Sequence, residues 1–183
     1  MDLLQPGILL ISDPFLKDPN FLRTVVLLCE HQNEGSFGFV LNKPLGITLE
    51  DVMPEAIGLR VPLWKGGPVQ KDSLHFLHSR PDLISDSIKI IDHVYWGGDF
   101  SNVISLLQQK ELASGEIRFF IGYSGWGERQ LQGELDEKSW IIRQANQQLV
   151  FHTEPSAIWK KALADLGGEY SQMVHYPIDP QLN

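Results

Sequence analysis

Apolar positions along the chain fall in short blocks separated by Gly, Pro, Asp and Asn. Residues 7–12 and 23–31 are nearly continuous apolar runs, which predicts two strands, the second buried on both faces. A polar turn, Gln32-Asn33-Glu34-Gly35, leads into residues 35–42, so these two runs predict a hairpin. Residues 61–65, 73–78, 117–123 and 140–142, with Ile88–Ile91 and Val94–Trp96, read as further strands. The period changes after Asp99. Phe100, Val103, Ile104 and Leu107 lie at i, i+3, i+4 and i+7, one helical stripe capped by Asp99 and stopped at Gly115. Short helices are predicted at 49–53, capped by Thr48, and at 129–135. A last helix is predicted over 155–166, with Thr153 as its cap and Gly167-Gly168 as its stop.

Strands outnumber helices, and most neighbouring strands lack a helical crossover. The pattern therefore predicts an α+β fold with a mostly antiparallel sheet and a few packed helices. With 183 residues, no linker and no repeat, one domain spanning residues 1–183 is expected.

Composition narrows the function classes. The net charge is -8, and the 15 basic residues are scattered, with no run longer than Lys160-Lys161. A phosphate-binding surface needs clustered Lys and Arg, so direct nucleic-acid binding is disfavoured. No apolar run approaches the ~20 residues of a membrane span. The start, Met1-Asp2-Leu3-Leu4, lacks the basic stretch of a signal peptide, and the single cysteine fits a reducing compartment. A cytoplasmic protein is expected.

Several segments together resemble the AlgH/YqgE family. They are Asp18-Pro19-Asn20-Phe21 leading into Arg23-Thr24-Val25-Val26-Leu27-Leu28-Cys29-Glu30-His31, and Gly38-Phe39-Val40-Leu41-Asn42-Lys43-Pro44. Next come Gly66-Gly67-Pro68-Val69 with Asp72 and Leu77-His78, then Gly97-Gly98-Asp99, and Gly122-Tyr123-Ser124-Gly125-Trp126. The set closes with Pro177-Ile178-Asp179-Pro180-Gln181-Leu182-Asn183. The resemblance implies a curved, branched sheet, and some members of that bacterial family are labelled transcriptional regulators. Ser124 stands where alanine is common in the family, which counts against a required hydroxyl.

The candidate chemistry is sparse. Gly122-Tyr123-Ser124-Gly125-Trp126 approaches a nucleophile elbow, but that motif needs glycine two places after the serine, where Trp126 stands. If residues 119–127 form a strand, a turn and a helix start, the amides of Gly125, Trp126 and Gly127 are candidates to hold an anion. The phosphate-loop and dinucleotide patterns are absent or incomplete, so no cofactor is inferred. Asp72, His75 and His78 recur every three residues, but on a strand His75 and His78 point to opposite faces, so no metal site is expected. Cys29 and His31, two apart on a strand, share a face by simple alternation, which makes them a candidate redox pair. The competing reading is a buried thiol acting as a small hydrophobe. The glycine clusters and their neighbours outline a candidate groove for a ligand or partner: Asn42, Gly66, Gly67, Gly98, Asp99, Tyr123, Ser124, Gly125 and Trp126.

Two function classes stand at this point. The first is a non-catalytic binding or regulatory module acting through a protein partner or a small ligand. The second is a hydrolase using Ser124, His78 or Asp99. A thiol sensor at Cys29 is compatible with the first.

Overall fold

A computed structural model describes residues 4–178. Met1, Asp2 and Leu3, and the Asp179–Asn183 part of the last quoted motif, lie outside the described residues.

The strands are β1 (Ile8–Ser12), β2 (Val25–Gln32), β3 (Gly35–Val40), β4 (Pro44–Thr48), β5 (Pro62–Lys65), β6 (Val69–His78), β7 (Ile88–Ile91), β8 (Val94–Trp96), β9 (Ile117–Gly127) and β10 (Trp140–Gln144). The helices are α1 (Leu49–Val52), α2 (Phe100–Gln108), α3 (Gln130–Asp136), α4 (Gln147–Val150), α5 (Pro155–Ala164) and α6 (Gly168–Met173). The predicted α+β class holds. The main sheet runs β10-β1-β2-β3-β9-β6-β8-β7, and β5 branches from β9 and carries β4. All pairings are antiparallel except β5 with β9.

The sheet curls into a half-barrel, and this follows from where its side chains meet. Leu9 and Ile11 of β1, Val25 and Leu27 of β2, Phe39 of β3, Phe120 of β9, Leu77 of β6 and Val94 of β8 share one core. Side chains from strands as far apart in the sheet as β1 and β8 can meet only on the concave face of a strongly bent sheet. At Gly7, beside β1, an added Cβ would come within 2.4 Å of Ile91 at the end of β7, so the two ends of the curl approach. Helices α4 and α5 close the concave side through Leu149, Val150, Ile158, Trp159, Ala162 and Leu163. The convex side carries two smaller cores. One lies beneath α1 and α2 and includes Phe76, Val103, Leu107, Ile117 and Phe119. The other includes Leu10, Val26, Leu28, Trp126, Leu131 of α3 and Trp140.

The local expectations meet several differences. The 129–135 helix begins one residue later, and Arg129 precedes it at φ 58. Thr48 precedes α1, but the bonding runs the other way: the Asp51 carboxylate accepts from both the Thr48 N–H and its hydroxyl, at 2.7 and 2.9 Å. Glu154, not Thr153, caps α5, and without a side-chain bond. The Gly167-Gly168 stop ends α5, and α6 starts at Gly168 itself. Residues 119–127 do not form a strand, a turn and a helix start. β9 runs on to Gly127, and its last residues pair with β3, Gly125 with Phe37 and Gly127 with Gly35.

Candidate functional site

Strands β2, β3, β9, β6 and β8 frame an open cleft of about 580 Å³. This is within the range of small-molecule sites. Phe37 of β3, Trp96 of β8 and Tyr123 of β9 form its apolar wall, with His75 of β6 beside them. The rings pack edge to face. Phe37 lies 4.8 Å from Trp96 and 6.0 Å from Tyr123 between centroids, at steep angles. His75 stands 5.9 Å from Tyr123 and 5.3 Å from Phe39, with Nε2 3.0 Å from the Ser73 hydroxyl. All four rings are only half-buried, so the wall is accessible. The exposed rim holds Glu30, Gln32 and Glu34. Burial holds the His75 imidazole below its ordinary value of 6.5, so it is neutral at pH 7.

Two backbone irregularities aim these side chains. In β2, one extra residue stands against β3 between Leu28 and Glu30. Such a bulge breaks the alternation of faces. Glu30 pairs with Phe37 and joins it in the cleft, while His31 pairs with Ser36. Cys29 packs in the concave core, on the Phe37 side. The bulge thus sets Cys29 and His31 on different sides, against the simple alternation expected. His31 Nδ1 instead meets the Ser36 hydroxyl at 2.6 Å. Burial pushes the Cys29 thiol well above its ordinary value, and the Glu30 carboxylate pushes it further. Cys29 is 5% exposed.

The second irregularity is Gly122, at φ 69. Before it, Phe119 and Ile121 face the convex core and Phe120 the concave one. After it, Tyr123 packs on the concave side and Trp126 on the convex side, so the alternation shifts by one. The left-handed turn of one glycine brings Tyr123 onto the cleft.

The predicted site residues divide accordingly. Tyr123, Gly125 and Trp126 line the cleft, although the Trp126 indole is buried in the convex core and donates to Glu134 at 2.9 Å. Trp140 donates to the same carboxylate oxygen at 2.7 Å. The other predicted residues lie elsewhere. Asn42 ties off the end of β2, accepting from the Val25 N–H at 3.0 Å and donating to the Arg23 carbonyl at 2.8 Å. Asp99 caps α2 by accepting from the Asn102 N–H. A Cβ on Gly98 would lie 2.6 Å from Ile84, and one on Gly66 2.3 Å from the Gly122 carbonyl oxygen. Gly67 packs equally close on Tyr123. Ser124 is fully buried, and its hydroxyl donates to the Gly66 carbonyl at 3.0 Å. His78 is fully buried, with Nε2 3.1 Å from the Gly97 carbonyl, while Nδ1 accepts from the Arg80 N–H.

Sequence reasoning passed over Glu30, Glu34, Phe37, His75 and Trp96 as members of one site. The polar turn before Gly35 was the one available signal, since it placed Glu34 at a hairpin tip. The rest come from strands far apart in sequence and are joined only by the curl.

Comparison with known proteins agrees with this architecture. A family model described as AlgH-like matches residues 9–171. A UPF0301 protein of Cytophaga hutchinsonii is 46% identical over 183 residues, covering 99% of this chain and 100% of the relative. A UPF0301 protein of Chlorobium limicola is 41% identical over 182 residues, covering 100% and 97%. The solution structure of the AlgH protein from Pseudomonas aeruginosa aligns with a TM-score of 0.73 at 25% identity, covering 97% of this chain and 98% of that one. A crystal structure of a protein from Corynebacterium diphtheriae aligns with a TM-score of 0.79 at 18% identity, covering 94% and 93%, which shows the shared fold. The chain belongs to the AlgH-like family.

Proposed function

We propose that this member of the AlgH-like family is a non-catalytic binding or regulatory module in the cytoplasm. It acts through a protein partner or a small ligand held in the aromatic cleft. The observation that carries this reading is the cleft itself: a half-buried wall of Phe37, Trp96 and Tyr123 beneath a rim of exposed polar side chains. Aromatic walls with a few polar groups are the usual make-up of a recognition site.

Three further observations support it. The Ser124 hydroxyl is buried and committed to a carbonyl, so it faces no substrate. Both His78 ring nitrogens are already engaged. The Asp99 carboxylate serves the start of α2. If the module regulates transcription, the net charge of -8 favours action through another protein over operator binding. No helix among the described residues is long and apolar enough to cross a membrane.

The test is native mass spectrometry of tagged protein drawn from host lysate, with Trp96→Leu as the comparison. A stoichiometric protein or small molecule carried by the wild type and lost in a folded Trp96→Leu variant supports the reading. A species retained equally by both, or protein that comes through bare, overturns the cleft as the binding site. The thiol reading has its own test. Cys29 is expected to react with a thiol reagent only after denaturation, because it is buried and its thiolate is disfavoured. Fast labelling of the native protein at neutral pH would revive the sensor.

A further inference from the structure

The charge of the cleft is one-sided. Two carboxylates, Glu30 and Glu34, stand at its rim, and no Lys or Arg lines it among the described residues. Its one basic side chain, His75, is held neutral by burial. Beneath the carboxylates lie Phe37, Trp96 and Tyr123, whose steep mutual angles present ring faces as well as edges. Ring faces carry negative potential and attract cations, most strongly on Trp. The low dielectric of a part-closed wall strengthens that attraction, and exposed carboxylates focus it.

From this geometry we infer that the cleft binds a small organic cation, an ammonium or guanidinium group carried on a compact apolar body. The inference rests on the binding reading above and adds the ligand's chemistry to it. The apolar body covers Phe37 and Val69, while the cationic group lies against Trp96 and Tyr123 within reach of Glu30 and Glu34. A neutral ligand of the same shape gains the wall but not the charge. An anion meets two carboxylates and no counter-charge. A volume of about 580 Å³ suits a free small molecule.

The test is an isosteric series titrated into isotope-labelled protein and followed by NMR. The probes are choline, its neutral isostere 3,3-dimethyl-1-butanol, and the anionic 3,3-dimethylbutyrate. Choline is expected to shift the Trp96 indole and Tyr123 ring signals, and to bind roughly tenfold more tightly than the neutral isostere. The anion is expected to bind weakest. Glu30→Gln and Glu34→Gln, both at exposed positions, are expected to fold normally and together remove most of choline's advantage. Equal binding of choline and the neutral isostere, or preference for the anion, overturns the cation assignment and leaves the binding reading standing. If no probe moves a cleft signal in a folded sample, the cation assignment is overturned, and the binding reading then stands or falls on the lysate experiment. If a lysine-rich peptide binds the cleft and choline does not, the assignment to a small molecule is overturned.

Discussion

Strand β9 is two different strands joined at Gly122. Its first half, residues 117–121, is paired on both edges, with β6 on one side and β5 on the other. Both faces are covered, Phe119 by the convex core and Phe120 by the concave one. Even its charged residue is enclosed. The Arg118 guanidinium lies 4.1 Å from the centre of the Trp64 ring and donates to the Leu41 and His152 carbonyls. The second half, residues 123–127, pairs with β3, and its exposed Gly125 and half-buried Tyr123 open onto the cleft. The first half is apolar at every position but Arg118, and the second carries glycine at 125 and 127. The contrast teaches that a fully packed segment and one that opens onto the cleft are separated along a single strand by one left-handed residue.

The largest effect is expected where the halves meet. Gly122→Ala puts an L side chain at φ 69, with its Cβ 2.8 Å from the Gly67 and Val69 carbonyl oxygens. Left-handed backbone costs about 1–2 kcal/mol and the crowding about as much again, so a loss of about 3 kcal/mol is expected. Urea unfolding measures it. A loss below about 1 kcal/mol would mean that the turn is not enforced by the chain around it.

Next comes Arg118, the polar resident of the first half. Burial lowers its pKa to about 10, and no carboxylate pairs with it among the described residues. Burying a lone cation is costly, and the two carbonyls with the Trp64 face offset that cost. Arg118→Ala orphans both carbonyls and leaves a void, for an expected loss of about 2 kcal/mol. Arg118→Met keeps the stem and removes the desolvated charge, so it is expected to cost less. If methionine costs as much as alanine, the loss lies in the guanidinium and not in the stem, and its bonds outweigh its desolvation.

How much of this was legible in the sequence depends on the half. Residues 117–121 read as a strand because apolar side chains carry a periodic signal. Residues 124–127 did not, because glycines adjacent to a helix-forming segment imitate a turn, and only pairing with β3 reveals a strand. The β2–β3 hairpin was plain from its turn, yet its bulge was not, since no residue type announces an extra position at Cys29. That bulge decides whether Glu30 or His31 follows Cys29 to the concave side. β4 was missed although Leu45 and Ile47 alternate, because Pro44 and Gly46 in so short a segment read as a turn. Of the glycine-based groove, Tyr123, Gly125 and Trp126 come together at the cleft. Asn42, Asp99 and Gly98 serve strand and helix ends, roles that need the same turn-forming residue types.

A smaller effect sharpens the comparison within the second half. Ser124 is its one fully buried polar side chain, facing away from the cleft wall toward Gly66. Ser124→Ala removes one hydrogen bond and leaves the Gly66 carbonyl its bond from the Val40 N–H at 2.8 Å. The expected loss is about 1 kcal/mol, with ligand binding in the cleft unchanged. Loss of a hydrolytic activity in this variant would instead support the enzyme reading.

The smallest effect expected is a slope of stability with pH, and it separates the buried end of β6 from the cleft. His78, opposite Ile117 in the first half, and His75, opposite Phe120, both have pKa values lowered from 6.5 by burial. For His78 the Gly97 carbonyl and Asp82 pull the other way without reversing the shift. The sign follows from proton uptake. Below pH 6.5 the unfolded chain binds protons at these histidines that the folded chain does not, so stability falls as pH drops from 6.5 toward the native values. Above 6.5 both states are neutral there and the contribution is complete. Asp51, Asp82 and Asp92 are held below 3.8 by hydrogen bonds from Thr48, Arg80 and Lys89, so they act only at lower pH. Urea midpoints between about pH 7.5 and 5 isolate the histidine window. His78→Gln should flatten that slope more than His75→Gln, because His78 is fully buried and His75 borders the open cleft. An equal flattening by both would place the cleft wall in the same dry environment as the core, and the division of β9 would not extend to its neighbour.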